Sequence, residues 1–366
     1  MKKVRKNQKQ GMVHMERKRK LCGKYLIVGA VSLAAFGGLL LLAARKITGF
    51  AEWYGAVIYP VLVQTAGRFW GIFPFSAVEI GMYAGGTVLL CLLVRNFKNP
   101  GKVLPVYGFV LGALLFLYGA GCGVNYYRKP FSASLDFGGQ SVEREDLKEL
   151  CLWLTEQVNL AREELGRAKD AYENLPEKGV AAMEKLSGEY PSLSGYYPKP
   201  KPVLVSRILS IQQYSGVYSP FTVEANYNRD MVSYNIPHTI CHELSHLDGF
   251  MREDEANFIG YLACLGSDDA DFRYSGFLLG WIYAGNALAE ENFEEYGKLY
   301  GMLSEKVRED LDANREFWAK YEGKAAKAAE RVNDAYLKAN GQGEGILTYG
   351  RVVDLMILDF VKNHRE

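Results

Sequence analysis

Twenty consecutive residues, Tyr25 to Ala44, carry no charge. As a helix rising about 1.5 Å per residue they span roughly 30 Å, one bilayer core, so they constrain the fold more than any other feature. A cleavable signal peptide fits poorly, because its apolar core usually ends after about 7 to 15 residues at a small-residue site. Here the run is longer and ends in Ala-Arg-Lys. Two more runs follow, Phe75 to Val94, with the single acid Glu79 near its start, and Val103 to Val124, with no charge. Glu79 sits close enough to the end of its run to reach the membrane interface.

Charge orients these runs. Residues 1–20 hold nine Lys or Arg against the one acid Glu16, although the whole chain has a net charge of only +1. A basic arm directly before an apolar run reads as the cytoplasmic flank of a first membrane helix, and nucleic acid is not an expected partner. The segment 47–67 is apolar and aromatic but interrupted by Glu52 and Pro60, and it has no room to recross, so it reads as interfacial. Three crossings then place the arm and the basic loop Arg95 to Lys102 inside, and everything after about Val124 outside. The expected organisation is a cytoplasmic arm (1–24), a membrane region (25–124, with helices 25–44, 75–94 and 103–124) and an extracytoplasmic domain (125–366). The lipid bilayer is thus one partner, and the expected location is the cell membrane, as a multi-pass protein.

The second half reads as α+β but predominantly helical. From Ser141 to Asn174, Leu147, Leu150, Leu154 and Val158 recur at helical spacing. Pro191 to Pro202 is a connector rich in Pro, Ser and Gly, and Val203 to Tyr234 mixes β-branched and aromatic residues with turn formers, predicting one or two hairpins. After Pro237 the pattern is helical to the end, with breaks near Gly249, Gly266 and Asn340 to Gly345. The six cysteines have no zinc-knuckle or redox spacing, and Cys241 and Cys264 are expected to be buried thiols rather than a disulfide.

The chemistry concentrates in His242-Glu243-Leu244-Ser245-His246. Two imidazoles one helical turn apart, with a carboxylate beside the first, form the HExxH arrangement that holds a catalytic zinc ion on a helix. Three of the five histidines (His238, His242, His246) fall within two turns. Pro237 suits the first turn of that helix, where its missing N–H costs nothing. Ile240, Leu244 and Leu247 share the face expected to enter the core, leaving His242 and His246 to point together away from it. His238 lies outside the ligand spacing and reads as a capping or supporting group. Gly249 stands where helices end through a left-handed residue, turning the chain back across the two rings.

A catalytic zinc site takes three protein ligands and leaves one position for water. Glu253 and Glu255 compete for the third place, and in a helix they point about 200° apart. Glu255 shares a face with Phe258, Ile259 and Leu262, whereas Glu253 shares one with Ala256, Asn257 and Gly260, whose small side chains permit close approach. Glu253 is the expected ligand, with Asn257 one turn on to steer a ligand by a hydrogen bond. The chemistry expected is hydrolysis of a peptide or protein substrate by a zinc-activated water, with Glu243 as general base and then proton donor to the leaving amine. Phe272-Arg273-Tyr274 offers candidate oxyanion donors, and the edge formed by Gly216 to Asn226 offers a place for an extended substrate strand.

Several stretches together resemble a known family. They are Asn125-Tyr126-Tyr127-Arg128, Ser215 to Asn226, the run HELSHLDGFMREDEANF from His242 to Phe258, Phe272 to Ser275, and Val332-Asn333-Asp334. Nearly the whole chain is similar to a family of uncharacterised multi-pass bacterial membrane proteins, catalogued only as a domain of unknown function and grouped with the gluzincin-like metallopeptidases. The resemblance implies a zincin-like domain after the membrane helices. Its Glu-x-x-Ala-Asn element looks like the Glu-x-x-Ala-Asp/Asn of other membrane-bound zinc peptidases, again selecting Glu253, with Asn257 where Asp is frequent. Only six residues separate His246 from Glu253, fewer than in most gluzincins, so the turn at Gly249 must be tight. A membrane-anchored zinc peptidase is the expected function, with a catalytically silent zinc-bearing sensor or interaction module as the alternative. A transporter fits less well, because the apolar runs offer almost no polar residue for a solute path.

Overall fold

A computed structural model describes residues 2–135, 137, 144–342 and 351–365. Among the described residues three helices are long and apolar enough to cross a membrane: Leu21–Lys46, Ala77–Arg95 and Leu104–Tyr127. They match the three apolar runs to within a few residues at most ends. The first is the second half of one continuous helix, Lys2–Lys46.

Between the first two apolar helices, residues 50–71 form a further helix widened by π turns at Tyr54–Ile58 and Val63–Gly67. Pro60 accounts for the first, since it lacks the N–H that would bond one turn back and its ring crowds that carbonyl. The five-residue turn brings Tyr54 and Tyr59 onto one buried face with Ala51 and Val63. Trp53, Val57, Val61 and Phe69 face outward. The buried side is specific: the Tyr59 hydroxyl donates to Leu247 O at 3.0 Å.

The rest is a helical body around a small sheet. Leu147, Leu150, Leu154 and Val158 all lie in the core along the helix Arg144–Leu165, which packs against Ala270–Glu291. At the centre runs Ile236–Leu247, with Ile240, Cys241, Leu244 and Leu247 fully enclosed. Among the described residues three strands make one sheet in the order β1 (Lys201–Pro202), β3 (Glu224–Tyr227), β2 (Gly216–Ser219). β2 and β3 form the single antiparallel hairpin, in register Gly216↔Tyr227 to Ser219↔Glu224. β1 comes from the proline-rich connector and pairs parallel to β3. Of the expected break at Asn340 to Gly345, the helix Lys324–Ala339 ends at Asn340, residues 343–345 fall outside the described residues, and further breaks occur at Asn292 and Leu303. All six cysteines, each in the described part, are free, with Cys241 and Cys264 buried.

One polar cluster joins the sheet to the apolar helix Ala77–Arg95. Glu224 accepts from the backbone N–H of Ala77 (3.1 Å) and Val78 (2.9 Å), satisfying first-turn donors that have no partner within their own helix. Lys201 Nζ donates to the same carboxylate at 2.5 Å and to Trp70 O at 2.6 Å. Both charged side chains are buried, so each depends on the other. Glu79 is buried as well, accepting from the backbone of Leu204 (2.7 Å) and Val205 (2.9 Å); the acid expected to reach the interface holds protein backbone. Lys201→Met is expected to cost about 3 kcal/mol of stability by stranding the Glu224 carboxylate, whereas Lys201→Met with Glu224→Gln should cost less than the sum of the single changes. Denaturation midpoints in detergent would measure both.

Candidate metal centre

The motif helix has Pro237 in its first turn, as its sequence predicts, and ends at Leu247, with Asp248, its expected last residue, as the cap. Gly249 then adopts φ 95°, the left-handed region that favours glycine. Its N–H donates to His246 O at 2.9 Å, and the Phe250 N–H donates to Ser245 O at 3.0 Å, which closes the helix end. Arg128 lies over this turn, with Nη1 donating to Asp248 O at 3.1 Å and the guanidinium 4.8 Å from the Phe250 ring centre. A Cβ at position 249 would run into that guanidinium. The chain therefore reverses within six residues, and the next helix, Glu253–Leu265, begins directly against the two rings.

Glu253 Oε2 lies 3.4 Å from His242 Nε2, and Glu253 Oε1 lies 3.6 Å from His246 Nε2. Among the described residues these three offer ligand atoms all within 4.8 Å of one another. His246 Nδ1 is 2.8 Å from Phe250 O, which fixes the proton on Nδ1 and leaves Nε2 as a lone pair aimed at Glu253. Burial holds the His246 imidazole well below its usual range, to about 4, so the ring stays neutral. At His242 burial also disfavours the charged ring, but hydrogen bonding and charge from Glu253 outweigh it and the pKa is raised.

Glu255 faces elsewhere, accepting from Ser132 N at 2.9 Å and Ser132 Oγ at 2.6 Å, and is not part of the cluster. Asn257 stands one turn beyond Glu253, its Oδ1 3.4 Å from the Tyr283 hydroxyl. His238 is a supporting group: its Nε2 lies 3.2 Å from Asn257 O, its N–H donates to Ser275 Oγ at 3.0 Å, and burial pushes its pKa down to about 3.

Glu243 is buried beside the cluster, and its Oε2 has no hydrogen-bond partner among the described residues. Burial raises its pKa to about 8; the nearby His242 opposes this and Glu253 adds to it. Gly216 of β2 makes room for it, since a Cβ there would come within 2.5 Å of Glu243 Oε1. A cavity of about 910 Å³ opens over these groups and is lined by His242, Glu243, His246, Glu253, Gly216 and Tyr218.

Two expectations change at this point. Tyr274 donates to Asp310 Oδ2 at 2.6 Å and Arg273 to Ser267 O at 2.6 Å, so Phe272-Arg273-Tyr274 is committed to packing and does not line the cavity. Hydroxyl groups in the cavity wall come instead from Tyr126, Tyr214, Tyr283 and Tyr336. Of the stretch Gly216 to Asn226 only β2 lies at a sheet edge, because β3 is central between β1 and β2. Arg128, Tyr59 and Tyr283 carried no periodic or spacing signal, although Arg128 lies in one of the stretches that resemble the family.

Fold and site together define a mostly helical protein with candidate membrane helices and a largely enclosed His–His–Glu cluster between an HExxH helix and the helix that follows it. The chain belongs to the family described as Protein of unknown function (DUF3810), whose model matches residues 54–357, well over half its length. No curated protein and no solved structure matches the chain.

The turn generates a direct test. Gly249→Ala is expected to destabilise the chain by about 2 kcal/mol or more, since alanine pays the left-handed strain and meets Arg128. A fall in the denaturant midpoint with the slope unchanged would register it.

Proposed function

We propose that this chain is a membrane-anchored zinc-dependent peptidase, with its site on the extracytoplasmic side. The observation that carries the reading is the convergence of His242 Nε2, His246 Nε2 and the Glu253 carboxylate beside a buried Glu243. The donor set fits zinc, two neutral imidazole nitrogens and a carboxylate being a known catalytic combination. The unpartnered Glu243 Oε2 fits a group kept available for a proton. Bound there, zinc would supply a Lewis acid for the substrate carbonyl and acidify a water molecule.

The chain's own groups do the rest. His246 is held in one tautomer by Phe250 O, which presents Nε2 without competition from its own proton. Glu253 is carried on a separate helix, so the turn at Gly249 decides whether the three donors meet. Glu243 accepts a proton from the attacking water and delivers it to the leaving amine. Burial raises the proton affinity of this carboxyl, which suits it to take up a proton and pass it on. The unpaired side of β2 offers backbone groups to an extended peptide, and Gly216 at its start brings that strand close to Glu243. The basic arm and the loop at 95–102 favour a cytoplasmic N-terminus, and with three crossings the cavity would then lie outside.

Zinc content and cleavage of a casein digest, measured together on the purified full chain, test this reading. Wild type is expected to hold one zinc per chain, and His246→Ala or Glu253→Ala to hold almost none. Glu243→Gln should keep the metal but lose at least a hundredfold in cleavage rate, the scale of a lost general base. Cleavage that survives Glu243→Gln would overturn the proposal, and zinc bound by a wild type that cuts nothing would assign the site to a silent sensor. Zinc occupancy is also expected to fall on acidification, first through His242, whose pKa is raised, and only well below that through His246, because a protonated imidazole cannot donate a lone pair. Dialysis at stepped pH followed by metal analysis would follow this loss.

A further inference from the structure

The cavity over the cluster extends to a second region. There its lining comes from Val78, Met82 and Tyr83 in the first turns of the apolar helix Ala77–Arg95, and from Val205 and Ile208 after β1. Met82 is 63% exposed, and Tyr83, Val205 and Ile208 are exposed too, so the cavity is open between these two elements. Met82 lies roughly 7 Å along the helix axis from Ala77. If helix Ala77–Arg95 crosses the membrane, this opening meets the edge of the hydrocarbon.

The facing segment suits that position. Leu204, Val205, Ile208 and Ile211 are 43, 44, 44 and 41% exposed, an outward apolar patch on a loop and the short helix Arg207–Gln212, with the exposed cation Arg207 among them. Glu79 sets its height, accepting from the backbone of Leu204 and Val205 while buried in the first turn of the apolar helix. Sliding the segment along that helix would strand two N–H groups and a carboxylate. A further wall, the helix Lys324–Ala339, adds Val332 and Tyr336 to the lining. It is fastened to the end of the third apolar helix: the Tyr118 hydroxyl donates to Asn340 Oδ1, and the Tyr126 hydroxyl donates to Tyr336 Oη at 3.1 Å. The opening is thus framed by elements tied to two helices of membrane-spanning length.

Lipid is the occupant this patch fits. It continues the outward apolar surface of Met82 and Ile80 on the neighbouring helix, and Arg207 can reach headgroup phosphates from its margin. We infer that Leu204–Ile211 rests in the outer leaflet and that the cavity opens at the bilayer surface, so its substrate is a polypeptide tethered in the same leaflet by an apolar anchor, taken up through its juxtamembrane stretch. That the ligand is a polypeptide rests on the peptidase reading above. Tethering supplies the selectivity, because a chain confined to the leaflet meets the opening at a raised effective concentration.

The test uses the full chain in phosphatidylcholine nanodiscs, with Cys22→Ser and Cys91→Ser as background since the other cysteines are buried. A bimane label on Ile208→Cys is compared with one on Lys320→Cys, an exposed position on the helical body. Brominated lipid is expected to quench the first at least threefold more than the second, and aqueous iodide the reverse. In parallel, randomised decapeptides with and without an N-terminal palmitoyl chain are offered to the unlabelled chain, and the acylated pool should be cut at least tenfold faster. Iodide quenching of the Ile208 label equal to that at Lys320 overturns the inference, as does equal cleavage of both pools; either leaves the peptidase reading standing. A lipid-quenched label with neither pool cut removes the polypeptide ligand through failure of the peptidase reading instead.

Discussion

Three side chains that prefer water are gathered out of it in one place. His242, His246 and Glu253 sit largely enclosed, with the carboxylate bridging toward both ring nitrogens. Burial drives one ring toward neutrality, while the carboxylate draws the other toward its charged form. A carboxylate and two imidazoles are costly to bury together, and a shared divalent cation is a group that all three could hold at once. The arrangement exists only because the chain turns sharply enough at Gly249 for the second helix to begin against the first.

That turn is not held by the two helices alone. Arg128, just after the third apolar helix, bonds the carbonyl of Asp248, and Tyr59, on the helical segment between the first two, bonds the carbonyl of Leu247. Tyr59 also meets Tyr218 of β2 at 2.9 Å, and Tyr218 in turn donates to Gly121 O at 2.9 Å. The end of the motif helix, the sheet edge and the apolar region are therefore joined by one buried hydrogen-bond network. The apolar region helps to shape the site, so it is more than a tether, and the family match beginning at Tyr54 takes in this same segment.

Much of this was legible in the sequence because the signals are local. An uncharged run of bilayer length, a helical stripe such as Leu147, Leu150, Leu154 and Val158, and two histidines one turn apart each report a single element. The preference for Glu253 over Glu255 rested on which helix face carries small residues, and the geometry separates the two acids accordingly: Glu253 faces the rings and Glu255 holds Ser132. Long-range partners were not legible. β1 lies in a proline-rich connector and is a strand only because β3 lies beside it, and no local signal pairs Glu79 with the backbone of Leu204 and Val205. Tyr274 failed as an oxyanion candidate for the same reason, since its hydroxyl is taken by Asp310, 36 positions on.

X-ray absorption at the zinc edge of the purified, zinc-loaded chain tests the central claim most directly. The account predicts a first shell of nitrogen and oxygen only, at about 2.0 to 2.1 Å, with the outer-ring scattering of two imidazoles and no sulfur. A sulfur shell at about 2.3 Å, a single imidazole, or no retained zinc would contradict it.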